Sequence, residues 1–124
     1  MAFDPFVVLH VEEPHKSAGL YSKLFGREPI RTQPTFVMYQ LENGLKLGLW
    51  QRSDVQPPSK GAPGSEEVIF QVGSEEEVDA RFAQWTAEGL VVAQTPTQMD
   101  FGYTFVVLDP DGHRLRVYCF KAAA

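Results

Sequence analysis

Apolar positions in the first half of the chain change from a continuous run to a helical spacing and then to strand-like pieces. The β-rich run at residues 5–11 predicts a strand, and Pro14 after two acidic residues predicts the start of a helix. Gly26 supplies the stop signal of that helix. Its predicted buried stripe consists of Ala18, Tyr21, Leu24 and Phe25. Three strands are predicted next, at residues 28–33, 35–41 and 45–51, with a hairpin at Asn43-Gly44. The first half is therefore βαβββ.

The second half repeats this order after a connector. Residues 52–65 are rich in Pro, Gly and Ser and have no periodicity, which is typical of a loop. A strand is predicted at 66–72, and Ser74 with Glu77 forms a capping box at the start of a second helix. Its apolar stripe is Val78, Phe82 and Trp85, and Gly89 ends it. Further strands are predicted at residues 90–95, 102–108 and 114–120.

The repeated element order predicts an α+β fold of two βαβββ modules, residues 1–51 and 66–120, within one domain of residues 1–124. Each module alone has a four-stranded sheet and one helix, which leaves one face of the sheet to be covered. We expect the two modules to form a curved sheet around a cleft.

Composition and charge narrow the class of protein. Of 124 residues, 44% are hydrophobic and 22% charged, which is ordinary for a globular domain. The net charge of −5 makes nucleic acid an unexpected partner. The single cysteine, Cys119, cannot form an internal disulfide, which fits a reducing compartment. The run at residues 6–9 has no basic flank and is too short to be a signal peptide or a membrane span. We therefore expect a cytoplasmic protein without a membrane partner.

Two stretches carry a resemblance to a known family. They are residues 11–26, with Val11-Glu-Glu-Pro14, Leu20-Tyr21 and Leu24-Phe25-Gly26, and residues 105–118, with Asp109-Pro-Asp-Gly-His113 before the last strand. Together with the paired modules, they resemble the vicinal oxygen chelate superfamily, which contains glyoxalases, dioxygenases and bleomycin-resistance proteins. The resemblance implies two sheets that curve around one cleft, where the enzymes of the family hold a divalent metal with His, Gln and Glu.

The four positions that the resemblance assigns to metal ligands do not carry a ligand set here. They fall on Phe6, Gly48, Glu67 and Arg116. Phenylalanine and glycine side chains offer no donor atom, and a guanidinium group only donates hydrogen bonds. Glu67 alone does not hold a catalytic metal against water. We therefore expect no metal and no other cofactor.

Alternation in the last strand predicts which residues line the cleft. Arg116 and Tyr118 share one face, and matching the two turns pairs them with Gly48 and Trp50 of the first module. This set gives the cleft aromatic walls, a gap at Gly48 and a cation, which suits a planar aromatic ligand carrying a carboxylate or another acceptor. Other candidates are His10, Glu67, Tyr39, Tyr103 and Phe105, the last three depending on hairpin register. Alternatively, Trp50 and Tyr118 only fill the core, and His10 is a hydrogen-bonded structural residue.

These observations favour a binding protein over an enzyme. The expected function is metal-independent binding of a planar hydrophobic small molecule, by analogy with the antibiotic-sequestering members of the family, and no catalytic residue is assigned. Three alternatives stay open: a metal-dependent lyase, isomerase or dioxygenase; an enzyme that transfers protons through His10 and Glu67; and a module whose groove binds another protein. Exposed edge strands and apolar residues near the termini, Phe3, Phe6 and Phe120, favour a homodimer with two equivalent clefts.

Overall fold

The structure, a computed structural model, describes residues 5–121. The chain divides into two compact units, Met1–Gly61 and Ala62–Ala124. In the first unit the elements are β1 (Phe6–Val11), α1 (Pro14–Phe25), β2 (Arg31–Gln33), β3 (Phe36–Gln40) and β4 (Lys46–Gln51). In the second they are β5 (Glu67–Val72), α2 (Glu75–Ala87), β6 (Val91–Met99), β7 (Gly102–Leu108) and β8 (Arg114–Phe120). The predicted α+β fold of two βαβββ modules is confirmed, whereas their union in one domain around a cleft stays a prediction.

The two sheets have the same topology. The strand order is β1-β4-β3-β2 in the first and β5-β8-β7-β6 in the second. The first and last strands of each module pair in parallel, and the remaining neighbours are antiparallel. Each helix carries the chain from one edge of its sheet to the other, from β1 to β2 and from β5 to β6, and it packs on one face of that sheet.

Each unit buries its own apolar layer between helix and sheet. The fully buried side chains of the first unit include Tyr21, Leu24, Val37, Tyr39, Leu47 and Leu49. Those of the second include Val78, Phe105, Val107 and Leu115, with Trp85 3% exposed. Trp85 packs edge-on against Phe70 and Phe105, so its predicted place in the helix stripe is confirmed. Removal of this apolar surface from water is what holds each helix on its sheet.

Two strand boundaries differ from the predicted ones by more than one residue. Strand β2 begins only at Arg31, because Pro29 lacks an N–H to donate and restricts Glu28 before it. Strand β6 runs past the predicted end to Met99 although it contains Pro96. It is an edge strand, and its register with β7 shifts between Val92 and Gln94 and again between Gln94 and Thr97. A proline is tolerated at such an irregular edge because no ladder bond is lost.

Neither helix within residues 5–121 is long and apolar enough to cross a membrane.

Candidate functional site

Each sheet has a helix-distal face, which we define as the face opposite its own helix. In the second unit, Phe105 and Tyr103 of β7 contact Phe82 and Asp79 of α2, so they point toward the helix. Residues one position away point to the other side, because successive side chains of a strand alternate. The helix-distal face of the second sheet therefore carries Thr104, together with Glu67, Ile69 and Gln71 of β5 and Arg116 and Tyr118 of β8.

Arg116 is the centre of a hydrogen-bond network on this face. Its Nε donates to Glu67 Oε1 at 3.0 Å, and its Nη2 donates to Glu67 Oε2 at 3.1 Å. Its Nη1 donates to Gln94 Oε1 and to Thr104 Oγ1, both at 3.2 Å. Thr104 can accept this bond because its own hydroxyl donates to the Val117 carbonyl. The Arg116 side chain is only 13% exposed. The network therefore holds a largely buried guanidinium group in one position on this face.

Glu67 binds two arginines at once. Besides Arg116, its Oε2 accepts from Nη2 and Nε of Arg114 at 2.6 and 2.8 Å. The hydrogen bond from Arg116 and that from Arg114 hold the pKa of Glu67 below its ordinary value, against an opposing effect of burial. The carboxylate is therefore ionised at neutral pH, and both of its oxygens already accept from guanidinium groups. Such a group is poorly suited to proton transfer.

The residues present do not fit the divalent metal that the resemblance implies. In the second unit, Arg116 occupies one expected ligand position and engages the carboxylate at the other, Glu67. In the first unit the corresponding positions are Phe6 and Gly48, which pair with their strand neighbours but have no donor side chain. Within residues 5–121 no group of three or more His, Cys, Asp or Glu side chains is arranged to hold a metal ion.

A pocket of about 710 Å³ opens beside the Arg116 network. Its aromatic wall is built by Phe101 and Tyr118, whose ring centroids lie 5.7 Å apart at an interplanar angle of 71°. The guanidinium carbon of Arg116 lies 5.7 Å from the Phe101 ring centroid, and Tyr118 donates its hydroxyl hydrogen to Gln71 Oε1 at 3.1 Å. The lining residues are Glu67, Ile69, Gln71, Phe101, Arg116, Tyr118 and Phe120. The arrangement offers π faces and apolar surface around an internally paired cation.

Sequence reasoning missed four of the lining residues, namely Ile69, Gln71, Phe101 and Phe120. Phe101 lies in the turn between β6 and β7, outside the strand alternation that identified Arg116 and Tyr118. Its carbonyl accepts from the backbone N–H of Lys121 at 2.9 Å, which ties the turn to the end of β8. The next residue, Gly102, has φ +147°, and a Cβ there would lie 1.9 Å from the Cys119 carbonyl oxygen. Gly102 was the available signal, because only glycine allows that approach.

Strands β1 and β4 of the first sheet pair in the same register as β5 and β8 of the second. His10 pairs with Trp50 as Gln71 pairs with Tyr118, which confirms the predicted correspondence of Trp50 and Tyr118. The His10 and Trp50 rings meet edge to face with centroids 6.2 Å apart. Next to them, the Phe36 ring lies over Gly48. That Trp50, His10 and Gly48 join one site with the residues of the second unit stays a prediction.

Three predicted site residues lie on the helix side instead. Tyr39 is fully buried, donates to the Ala18 carbonyl at 2.8 Å and packs edge-on against Phe25. Phe105 is fully buried against Phe82 and Trp85. Tyr103 donates to Asp79 of α2 at 2.7 Å. The observed register turns all three toward the helices, so the structure removes them from the ligand-binding set that sequence alternation suggested.

A second cavity, of about 490 Å³, lies beside α1. Its lining residues are His15, Ala18, Gly19, Ser22, Lys23, Glu28, Pro29, Thr32 and Val37. No sequence pattern indicated this cavity, since its residues are spread over the surface of α1, the loop after it and strands β2 and β3.

Comparison with known proteins agrees with this geometry. Residues 4–117 match the family model of the glyoxalase/bleomycin resistance protein/dioxygenase superfamily. The chain belongs to this superfamily. A protein from Agrobacterium tumefaciens, solved by solution NMR, shares 43% sequence identity and superposes with a TM-score of 0.89, covering 98% of this chain and 100% of that one.

Two relatives of known function differ in what they do. The phenazine antibiotic resistance protein EhpR of Enterobacter agglomerans is 28% identical over 113 residues, which is 89% of this chain and 86% of the relative. The trivalent organoarsenical cleaving enzyme of Bacillus sp. strain MD1 is 32% identical over 120 residues, 93% of this chain and 71% of the relative. The glyoxalase/bleomycin resistance superfamily thus contains both a resistance protein and an enzyme, and membership alone does not choose between them.

Proposed function

We propose that this chain is a metal-independent binding protein for a planar hydrophobic small molecule, and that it acts by sequestering that molecule, as in antibiotic resistance. The observation that carries the proposal is the pairing of Arg116 with Glu67. It places an ion pair where the enzymes of the superfamily keep metal ligands, directly beside an aromatic pocket. Sequestration needs a shaped pocket and stacking surfaces, and it needs no reacting group.

The walls of the pocket favour a planar aromatic ligand. Phe101 and Tyr118 present ring surfaces, and Ile69 and Phe120 add apolar area, 52% and 61% exposed. A planar aromatic molecule stacks on such surfaces and, because it is rigid, loses little conformational entropy on binding. The relationship to a phenazine antibiotic resistance protein supports a tricyclic aromatic compound as the first ligand to test. Trp50 and His10 are proposed to contribute the equivalent surface of the first module.

The test is calorimetric titration of the purified protein with phenazine. We expect binding, and we expect Tyr118→Ala to weaken it by about 1–3 kcal/mol, the usual contribution of an aromatic stacking partner. The matched control is Tyr103→Ala, which removes the same side chain from the opposite face of the same sheet. Equal loss in both variants, or no loss in a folded Tyr118→Ala, would reject the pocket as the binding site.

The competing function is a metal-dependent enzyme, because one relative of this chain is an organoarsenical cleaving enzyme. Elemental analysis after dialysis separates the two. The binding-protein proposal predicts less than one equivalent of zinc, iron, nickel or manganese. One equivalent that is retained, and whose loss follows Glu67→Ala or His10→Ala, would overturn it.

A further inference from the structure

We infer that the pocket of the second unit selects an uncharged planar ligand over its carboxylate analogue, and that Glu67 is the residue that sets this preference. The inference rests on the proposed function and adds the charge class of the ligand. It departs from what the sequence suggested, because a cation at position 116 pointed to a ligand that carries a carboxylate.

Arg116 has little hydrogen-bonding capacity left for a ligand. Its bonds to Glu67, Gln94 and Thr104 use all but one of the five N–H hydrogens of a guanidinium. A ligand carboxylate binds an arginine well when two parallel N–H groups are available to it. Arg116 presents its paired Nε and Nη2 edge to Glu67 instead, so that fork is already occupied by a carboxylate of the protein.

The charges that line the pocket are balanced. Glu67 and Arg116 are the charged residues that line the pocket, and they neutralise each other. Arg114 brings an additional positive charge to Glu67, but it is absent from the pocket lining, and its side chain is 36% exposed. Water and salt screen a charge in that position. A ligand anion in the pocket would therefore meet no uncompensated cation among the residues that line it.

Desolvation on entering the pocket costs an anion more than a neutral ring system. A carboxylate that enters the pocket gives up hydration and gains at most one hydrogen bond from Arg116, which is unfavourable for an ionised group. An uncharged ring system loses little hydration and gains stacking against Phe101 and Tyr118. The one N–H hydrogen of Arg116 outside the network suits a neutral acceptor such as a ring nitrogen. The geometry therefore discriminates by charge rather than by shape.

The experiment compares phenazine with phenazine-1-carboxylate by calorimetry at neutral pH and at low and high salt. We expect the wild-type protein to bind phenazine at least about tenfold more tightly, about 1.4 kcal/mol, because a charged group loses hydration that the pocket does not replace. We also expect little salt dependence for phenazine. If the carboxylate binds equally well or more tightly, the inference is wrong and the proposed function stands. If neither compound binds, the proposed function fails.

Glu67→Gln tests the assigned residue. The variant leaves both arginines without their carboxylate, so we expect the ratio of the two dissociation constants to shift by at least about tenfold toward phenazine-1-carboxylate, with salt-sensitive binding of the anion. The matched control is Glu66→Gln, the same change of charge at the exposed neighbouring residue, which should leave the ratio as in wild type. An unchanged ratio in folded Glu67→Gln would overturn the role of Glu67. If that variant does not fold, the wild-type comparison decides the inference.

Discussion

Gly48 shows how a single position shapes the helix-distal face of the first sheet. A Cβ on this residue would lie 2.7 Å from Phe36 Cζ and 3.3 Å from a methyl carbon of Val8. The glycine therefore lets the far end of the Phe36 ring approach the backbone of β4, while Phe36 itself pairs with Trp50. Alternation along β4 predicts that Gly48 lies on this face. The ring that requires a glycine there belongs to Phe36 of β3, and only the folded chain shows this contact.

We predict that Gly48→Ala lowers the free energy of unfolding by about 1–3 kcal/mol, because the added methyl group forces the Phe36 ring out of its place. Chemical denaturation measures the loss. In a Phe36→Leu background the same substitution should cost less, since the conflicting ring is gone. Gly19→Ala is the control: a Cβ there meets nothing within 4 Å, and replacing a glycine inside α1 should stabilise the protein by up to about 1 kcal/mol. A loss of stability in both alanine variants would contradict this account.

Glu67 gives a prediction about pH. Because hydrogen bonds from Arg116 and Arg114 lower its pKa in the folded state, its contribution to stability is present above the pKa of an unfolded glutamate, about 4.3. That contribution is lost as the pH falls through the lower pKa of the folded state. At neutral pH we expect Glu67→Gln to cost about 1–3 kcal/mol, the scale of hydrogen bonds to charged groups.

Denaturation of wild type and Glu67→Gln at a series of pH values measures this linkage. The difference between the two unfolding free energies should be constant near neutrality and shrink below about pH 4.3. A difference that stays constant down to strongly acidic pH would show that Glu67 titrates normally.

At the scale of elements, the two helices begin differently but fill the same role. Helix α1 begins at Pro14, as predicted, without a side-chain cap, and it ends at Gly26 with φ +65°. Helix α2 has the predicted Ser74 cap, whose Oγ accepts from the Glu77 N–H at 3.2 Å. Glu77 also reaches back, but its Oε2 accepts from the N–H of Gly73 at 3.2 Å and not from that of Ser74 as in a capping box. Proline at the start of one helix and a polar cap at the start of the other solve the same problem of unpaired N–H groups.

We predict that Ser74→Ala destabilises the protein by about 1 kcal/mol, because the first turn of α2 loses its side-chain acceptor. Thermal or chemical denaturation measures the change. Ser65→Ala, in the exposed loop before β5, is the matched control and should be neutral within about 0.5 kcal/mol. Equal effects of the two substitutions would show that the cap contributes nothing.

At the scale of the whole molecule, both sheets have edge strands with exposed apolar residues. Strands β1 and β5 are edges, and they carry Phe6 and Ile69 at 47% and 52% exposure. Phe120, at the end of β8, is 61% exposed, whereas Phe3 lies outside the described residues. Unpaired edges with apolar side chains favour association with another chain. The homodimer expected from the sequence is therefore still our prediction.

Sedimentation equilibrium at micromolar concentration should give twice the chain mass of 13.9 kDa. Phe6→Lys places a charge on the edge strand β1 and should weaken the association. Ile30→Lys, a similar change at a residue that is 56% exposed but outside the strands, should not. A wild-type mass near that of one chain throughout the concentration range would reject the dimer.

The sequence by itself determined the element order, the repeat, the hairpin at Asn43-Gly44 and the buried stripes of both helices. These follow from local periodicity and turn chemistry, which act between residues close together in the chain. Gly44, for example, has φ +85°, the conformation that made Asn-Gly a hairpin signal. The exchange of ligand residues for Phe6, Gly48 and Arg116 could also be read from the sequence, since it depends only on their distance from the motifs.

The tertiary structure alone decided which side chains meet. Tyr39, Tyr103 and Phe105 were assigned by alternation, but their direction depends on register against strands far away in the chain, and a shift of one residue reverses it. Phe101 joined the pocket because a turn brings its ring to Tyr118. The partners of Arg116 come from β5, β6 and β7, up to 49 residues away. Whether a cation is offered to a ligand or already paired is a property of such long-range contacts, and no local pattern encodes it.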